Sequence, residues 1–225
     1  MSFDLNGHHP ESTILTLVRH GETDWNAQRR MQGRTDIPLN ERGRRQAELV
    51  AERLRGTSWD GIVSSPLIRV MDVARAIARA IGHPEDAIVQ RDDLVERSFG
   101  EAEGMTLAER TERFGLDGPI PGIEPYEELD RRVMNALREI ESQYRLGRVL
   151  VVAHGGVVNA ALEQLAGDDY GHGKSFIANV SLTTIRVQRD EWVVESVNDY
   201  SHLLGTEFEP ITAPVTGSGQ ASVKR

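Results

Sequence analysis

Two stretches of this 225-residue chain carry an apolar run straight into a histidine followed by glycine. One is Leu15-Thr-Leu-Val-Arg19-His20-Gly21-Glu22-Thr23, the other Val149-Leu-Val-Val-Ala153-His154-Gly155-Gly156. A buried strand that delivers a titratable group at its carboxyl end is how an open α/β sheet presents a site, and parallel strands share that edge. His20 and His154 are therefore expected to face each other. Glycine after each histidine lets a ligand approach backbone amides. Arg69 falls in the first turn of a helix, and side chains lean toward a helix N-terminus, so it should point to the same edge. That helix start also offers free amides and a positive dipole end. Glu96 lies between Leu94-Val95 and Phe99-Gly100, an acid in an apolar setting. Singly, each residue has a plain reading: a structural histidine, a surface arginine like Arg75 or Arg79, a solvated loop carboxylate. Two His-Gly strand ends at equivalent positions favour a shared site.

The elements that must position these residues follow from periodicity. Ile14 to Val18 reads as a strand, and Ile62 to Ser65 as a second. Asn40 is the expected cap of a helix from Glu41 to about Arg55, whose Ala47, Val50, Ala51 and Leu54 share one face. Ser65-Pro66 reads as N-cap and first helical position of a helix ending at Gly82. Ala87 to Val89 is a candidate third strand. Thr106 to Glu109 is a capping box for a short helix ending near Gly115. Residues 115–125, with three glycines and three prolines, form a loop. A long helix is expected from Glu124 to about Arg145, with Tyr126, Leu129, Val133, Leu137, Ile140 and Tyr144 stepping by three or four. Val149 to Ala153 is uninterrupted and apolar, as in a central parallel strand. A helix from Val157 to Ala166 follows it. Ser181 to Val187 and Trp192 to Val197 alternate like a hairpin joined at Arg189-Asp190. Alternating strands and helices predict an α/β fold with a mainly parallel sheet.

Size and composition set the outer limits. The length suits one domain, and 39% apolar with 27% charged content suits a globular core. Residues 1–12 read as a loose arm, 13–205 as the domain, 97–125 as a short cap or specificity insertion, and 206–225 as a flexible tail. His8 and His9 read as a solvated terminal pair. No apolar run reaches spanning length and no signal pattern opens the chain, so the cytoplasm is the default compartment, with no membrane partner. With no cysteine, disulfides, thiolate metal sites and a cysteine nucleophile are excluded. The net charge of −9 disfavours nucleic acid as a partner. A small anionic substrate still fits if arginines gather locally. Gly167 to Ser175 imitates a phosphate-binding P-loop, but Asp168 stands where glycine is needed and no strand precedes it. His172 is then a loop histidine.

From residue 13 to about 202 the chain resembles the histidine phosphatase superfamily, which includes the cofactor-dependent phosphoglycerate mutases. Arg19-His20-Gly21-Glu22-Thr23 looks like its defining motif, continued by Trp25-Asn26, Gln32-Gly33 and Asp36-Ile-Pro-Leu39. Gly43 and Gln46-Ala47 also agree. Ser65-Pro-Leu-Ile-Arg69 matches the segment of the second arginine, Leu94-Val-Glu96 that of the acid, and His154-Gly155-Gly156 that of the second histidine. Glu124 with Arg132-Val133 fits a weaker pattern, in which Pro125 replaces a small hydroxyl residue. Several motifs in the right order are far more specific than one.

The resemblance implies a three-layer α/β/α sandwich, phosphoglycerate mutase-like, and a phosphomonoester hydrolase of small phosphorylated metabolites. Neutral His20 would attack phosphorus and become a phosphohistidine. Arg19, Arg69 and His154 would hold the non-bridging oxygens. Thr23, Asn26, Gln32, Gly33, Arg97 and Gly155 are expected to complete the substrate-binding set. Glu96 would protonate the leaving oxygen and then deprotonate water. No metal or other cofactor is implied. A phosphoglycerate mutase is the alternative: Arg97 beside Glu96 resembles the mutase pattern, whereas the short distance from Glu96 to His154 favours hydrolysis. A noncatalytic phosphate-binding module would lack His20 or Glu96. The substrate and the choice between monomer and homodimer stay open, with specificity assigned to residues 97–125 and the Trp25 to Arg34 loop.

Overall fold

The computed structural model describes residues 11–167 and 169–210. Its strands and helices run in the order β1 (Thr13–Arg19), α1 (Asp24–Ala27), α2 (Glu41–Leu54), β2 (Gly61–Ser64), α3 (Ile68–Ile81), β3 (Val89–Gln90), α4 (Leu107–Phe114), α5 (Tyr126–Gln143), β4 (Arg148–Ala153), α6 (Gly155–Ala166), β5 (Leu182–Gln188) and β6 (Glu191–Asp199). One six-stranded sheet has the order β3-β2-β4-β1-β5-β6. β1 to β4 are mutually parallel, and β5 and β6 run antiparallel at one end.

Strand alternation builds the three expected layers. In β1, Leu15 and Leu17 face α5 and α6, whereas Val18 faces α2 and α3. In β4, Val149, Val151 and Ala153 take the first face, and Leu150 and Val152 the second. β4 and β1 occupy the middle of the sheet and are buried on both sides, which is why their sequences are nearly continuous apolar runs. Register aligns Arg19 with Ala153, so the two His-Gly corners leave the sheet side by side. Arg189 and Asp190 both adopt positive φ, as the predicted hairpin turn requires.

Four expectations are corrected. Ser65 does not cap α3: the chain stays extended through Leu67, and Asp36 Oδ1 accepts the first helical amide, Ile68 N–H, at 2.8 Å. The third strand is Val89–Gln90, because Glu85–Ala87 closes a 3₁₀ turn first. α5 starts at Tyr126, after Pro125, and Tyr126 lies outside the core at 43% exposure. α6 starts at Gly155, with His154 at its cap position. Residues 1–10, which include His8 and His9, and residues 211–225 lie outside the described residues. Ser12 is fully buried, and Phe208 packs beneath the Arg42 guanidinium. Among the described residues no helix is long and apolar enough to cross a membrane.

Candidate active site

His20 sits where β1 ends, with its N–H still bonded to Ala153 O at 3.0 Å. Its ring nitrogen Nδ1 lies 2.6 Å from the carbonyl oxygen of Gly21. A carbonyl only accepts, so Nδ1 carries the proton and Nε2 keeps its lone pair. The tight turn depends on glycine: a Cβ on Gly21 would lie 2.5 Å from Gly43 O, so the corner rests directly on the first turn of α2. Burial, reinforced by the charges of Arg19 and Arg69, pushes the His20 pKa well below the usual imidazole value. The ring is therefore neutral near pH 7.

His154 is fully buried, its ring centroid 5.4 Å from that of His20. Arg69 Nη2 lies 3.3 Å from its Nδ1, and Ser65 Oγ lies 2.9 Å from its Nε2. Arginine only donates, so Nδ1 is the acceptor and Nε2–H donates to Ser65. Burial first, then the positive charge of Arg69, lowers the His154 pKa well below the usual value. Ser65, read from sequence as a helix cap, is instead a partner of the second histidine.

Two cations stand beside the histidines, Arg69 fully buried and Arg19 half-buried. Arg69 donates to Thr35 O at 2.9 Å and Gly33 O at 2.8 Å, and Arg19 to Ile177 O. The Nε atom of each is buried without a hydrogen-bond partner among the described residues. Buried donors normally have acceptors, so these two suit an anion between them. Desolvation lowers the Arg19 pKa to about 10, opposed by the charge of Glu96, and lowers that of Arg69 as well. Both remain cations near neutrality.

The Glu96 carboxylate closes the constellation from the side of α6. It accepts the N–H of Gly156 at 3.2 Å and that of Arg97 at 2.9 Å, at the positive end of the α6 dipole. A Cβ on Gly156 would come within 2.2 Å of Glu96 Oε1, so the second glycine of His-Gly-Gly makes room for the acid. Arg132 clamps the segment bearing it. Its guanidinium donates to Asp93 O, Val95 O and Glu96 O and pairs with Glu124 at 2.6 Å.

The remaining expected binding residues are brought close with different duties. Thr23 and Asn26 form a capping box for α1, and Thr23 Oγ1 donates to Gln32 Oε1 at 2.8 Å. Thr23 Oγ1 and Gln32 Oε1 are thus committed to each other, whereas the side-chain N–H₂ groups of Gln32 and Asn26 make no hydrogen bond among the described residues. Gly33 contributes its carbonyl to Arg69, and Gly155 lies against the Arg19 side chain. Arg97 packs on Tyr126, its guanidinium carbon 3.7 Å from the ring centroid. Three supporting residues escaped the sequence reading. Glu103 accepts from the backbone of Arg34 and Thr35 and so braces the loop that holds Arg69. His172 is paired with Asp130 at 2.6 Å rather than free in a loop. None of these contacts has a local sequence signature, though Glu103 lies inside a stretch already matched to the family.

Comparison with known proteins agrees with this arrangement. The family model described as "Histidine phosphatase superfamily (branch 1)" matches residues 15–200. An uncharacterized phosphatase, PhoE, of Bacillus subtilis is 42% identical over 193 residues, covering 86% of this chain and 98% of its own. A metal-independent phosphoserine phosphatase of Arabidopsis thaliana is 36% identical over 210 residues, covering 88% and 86%. The solved structure of phosphoserine phosphatase from Entamoeba histolytica with 3-phosphoglyceric acid superposes with a TM-score of 0.73 at 29% identity, covering 85% of this chain and 100% of that one. With its family motifs assembled at one sheet edge, the chain belongs to branch 1 of the histidine phosphatase superfamily.

Proposed function

We propose that this enzyme hydrolyses small phosphomonoesters through a covalent phosphate on His20 Nε2. The observation that carries the reading is the pairing of a pinned, neutral His20 with the guanidiniums of Arg19 and Arg69 and with the Glu96 carboxylate, whose charge acts on both arginines. A P–N bond forms at Nε2 as the ester P–O bond breaks, and Glu96 gives its proton to the departing oxygen. Arg19 and Arg69 hold the equatorial oxygens, where the charge sits during transfer. Water then attacks phosphorus, returns a proton to Glu96 and releases phosphate with neutral His20. His154 joins by swapping tautomer. When an oxygen draws Arg69 off Nδ1, exchange with water takes the proton from Nε2 and returns one at Nδ1; Nδ1–H then donates to phosphate and the Ser65 hydroxyl donates to Nε2. The cytoplasm is the proposed compartment.

The test is rapid-quench labelling with a ³²P-phosphomonoester. An acid-labile phosphoenzyme is expected in the wild type and none in His20→Ala, with turnover lost as well. Retained turnover in that variant overturns the assignment. Product analysis in the same experiment separates a hydrolase, which releases phosphate, from a mutase, which returns an isomerised ester.

A further inference from the structure

On the sheet face that packs against α2 and α3, the apolar surface is interrupted at one place. Val18, Leu150, Val152 and Leu182 are buried on that face. Thr16 shares it, and register sets Thr16 opposite Thr184 of β5, which lies opposite Ser196 of β6. Paired residues point to the same side, so three hydroxyls stand in a row across three adjacent strands. The row begins where α2 stops at Leu54, and the space left is a cavity of about 250 Å³, lined by these hydroxyls with Arg53, Arg148 and Trp59. Arg19, His20, Arg69, Glu96 and His154 take no part in its walls. Thr16 precedes His20 by four residues on β1, about 13 Å at the rise of a strand.

Several polar groups here have unused capacity. Thr16 is 5% exposed, and among the described residues its Oγ1 and that of Thr184 share one hydrogen bond of 3.3 Å. Two hydroxyls in one bond leave an O–H and several lone pairs free. Trp59 is held by donating Nε1–H to Thr57 Oγ1 at 2.7 Å, and the Arg148 guanidinium carbon lies 4.6 Å from its ring centroid. The backbone N–H of Arg148 donates to Asp60 Oδ2 at 2.7 Å, whereas its guanidinium makes no hydrogen bond or ion pair among the described residues. A planar fork resting on a fixed ring, with its N–H groups free, matches the two oxygens of a carboxylate.

Charge narrows the ligand further. Thr184 pairs with Ser196 and Ile185 with Val194, so Glu195 is the extra residue of a bulge, which aims it into the same cavity. Glu195 accepts Arg186 Nε at 2.7 Å, and Asp199 faces Arg53 at 3.9 Å. Each carboxylate in the walls thus has its own cation, and Arg148 is the positive charge left over. One unbalanced cation suits one carboxylate, whereas a phosphate dianion would meet two carboxylates with only one charge to offset it. The hydroxyl row both donates and accepts, and Glu195 and Asp199 have acceptor positions to spare, so all five side chains suit ligand hydroxyls.

We propose that this cavity is a second ligand site, separate from the catalytic one, for a small polyhydroxy monocarboxylate. Arg148 binds the carboxylate, and the Thr16–Thr184–Ser196 row binds the hydroxyls. The site goes beyond the phosphatase reading and stands without it.

The test is calorimetric titration of the full chain with D-gluconate and with sorbitol, which carries a hydroxyl in place of the carboxylate. One saturable site is expected for gluconate, with sorbitol weaker by roughly ten- to hundredfold, the range of a charge-assisted hydrogen-bonded pair. His20→Ala should bind gluconate as the wild type does. Arg148→Gln should weaken gluconate by about tenfold or more. Thr184→Val keeps the side-chain shape and removes one hydroxyl, and it should weaken gluconate by a smaller factor. The wild-type comparison of the two ligands carries the test even where a variant fails to fold. Absence of saturable gluconate binding up to about 10 mM overturns the site. Equal affinities for gluconate and sorbitol overturn it too, as does unchanged affinity in Arg148→Gln. Loss of gluconate binding in His20→Ala would put the ligand in the catalytic pocket instead and refute a second site.

Discussion

Ser65→Ala isolates the control of the second histidine. Ser65 and His154 are both 0% exposed, and the hydroxyl is the partner of Nε2 at 2.9 Å. Alanine leaves the buried Nε2–H without an acceptor. An orphaned buried donor costs about 1–3 kcal/mol, and in a domain of this size each kcal/mol moves Tm by about 2–4 °C. Destabilisation of that order should appear as a lower urea midpoint with unchanged m-value. The kinetic effect has a separate origin. Without a donor at position 65, Nε2 has no proton to accept when Nδ1 turns its N–H toward phosphate, so the tautomer needed in the transition state is disfavoured. A lost hydrogen bond to a developing charge costs about 1.5–3 kcal/mol, so kcat should fall about ten- to hundredfold with KM changing little. Ser65→Cys, which keeps a weak S–H donor and acceptor, should lie between wild type and alanine in both assays. If alanine retains full kcat while losing stability, His154 does not change tautomer and its role is packing alone. Wild-type values in both assays would refute the hydrogen bond itself.

Two further outcomes follow from burial and close approach. His20 and His154 have folded pKa values below the unfolded value of about 6.5, so the unfolded chain binds protons first on acidification. Their contribution is full above about pH 6.5 and is lost below it, at about 1.4 kcal/mol per pH unit for each ring; urea titrations from pH 7.5 to 5 should show that slope, reduced in His154→Gln, and a flat profile would contradict neutral burial. Gly156→Ala forces a Cβ to within 2.2 Å of Glu96 Oε1, so the carboxylate must move; alkyl phosphates, which need the proton, should lose kcat by tenfold or more while aryl phosphates, with better leaving groups, lose less, and equal losses would argue against the acid role.

What was legible in the sequence was what repeats or sits on a strand. The buried strands around Leu17 and Val151 announce themselves by unbroken apolar runs, and because parallel strands share an edge, His20 and His154 could be placed together from those runs alone. Arg69 could be aimed because helix geometry sets side-chain direction. The helix start before it could not. Ser65-Pro66 has the local form of a cap, yet the hydroxyl is taken by a histidine 89 residues away, and the cap comes from Asp36. The same limit hid Glu103 beneath the Arg69 loop and the Asp130–His172 pair. Each is a long-range side-chain contact between segments whose local patterns are complete without it. Thr23 and Gln32 show the same limit: both lie in the family motif, yet the bond from Thr23 Oγ1 to Gln32 Oε1 that shapes the loop has no local signature.

The protonation states explain how a chain of net charge −9 can build a phosphate site. Long-range repulsion is screened beyond about 8–10 Å, so the outcome depends on groups within the pocket. Two guanidiniums are strong enough bases to stay charged even when desolvation lowers Arg19 to about 10. The imidazoles are not, and the same cations drive both rings neutral. That division is what the chemistry needs. A charged His20 would have no lone pair for phosphorus, whereas an uncharged arginine could not offset the phosphate. The two arginines therefore bring positive charge without protonating His20, and Glu96, facing both, stabilises them in the absence of substrate. A phosphate dianion in the pocket would take over that stabilising role, and under the proposed mechanism Glu96 would then take up a proton and deliver it to the leaving oxygen.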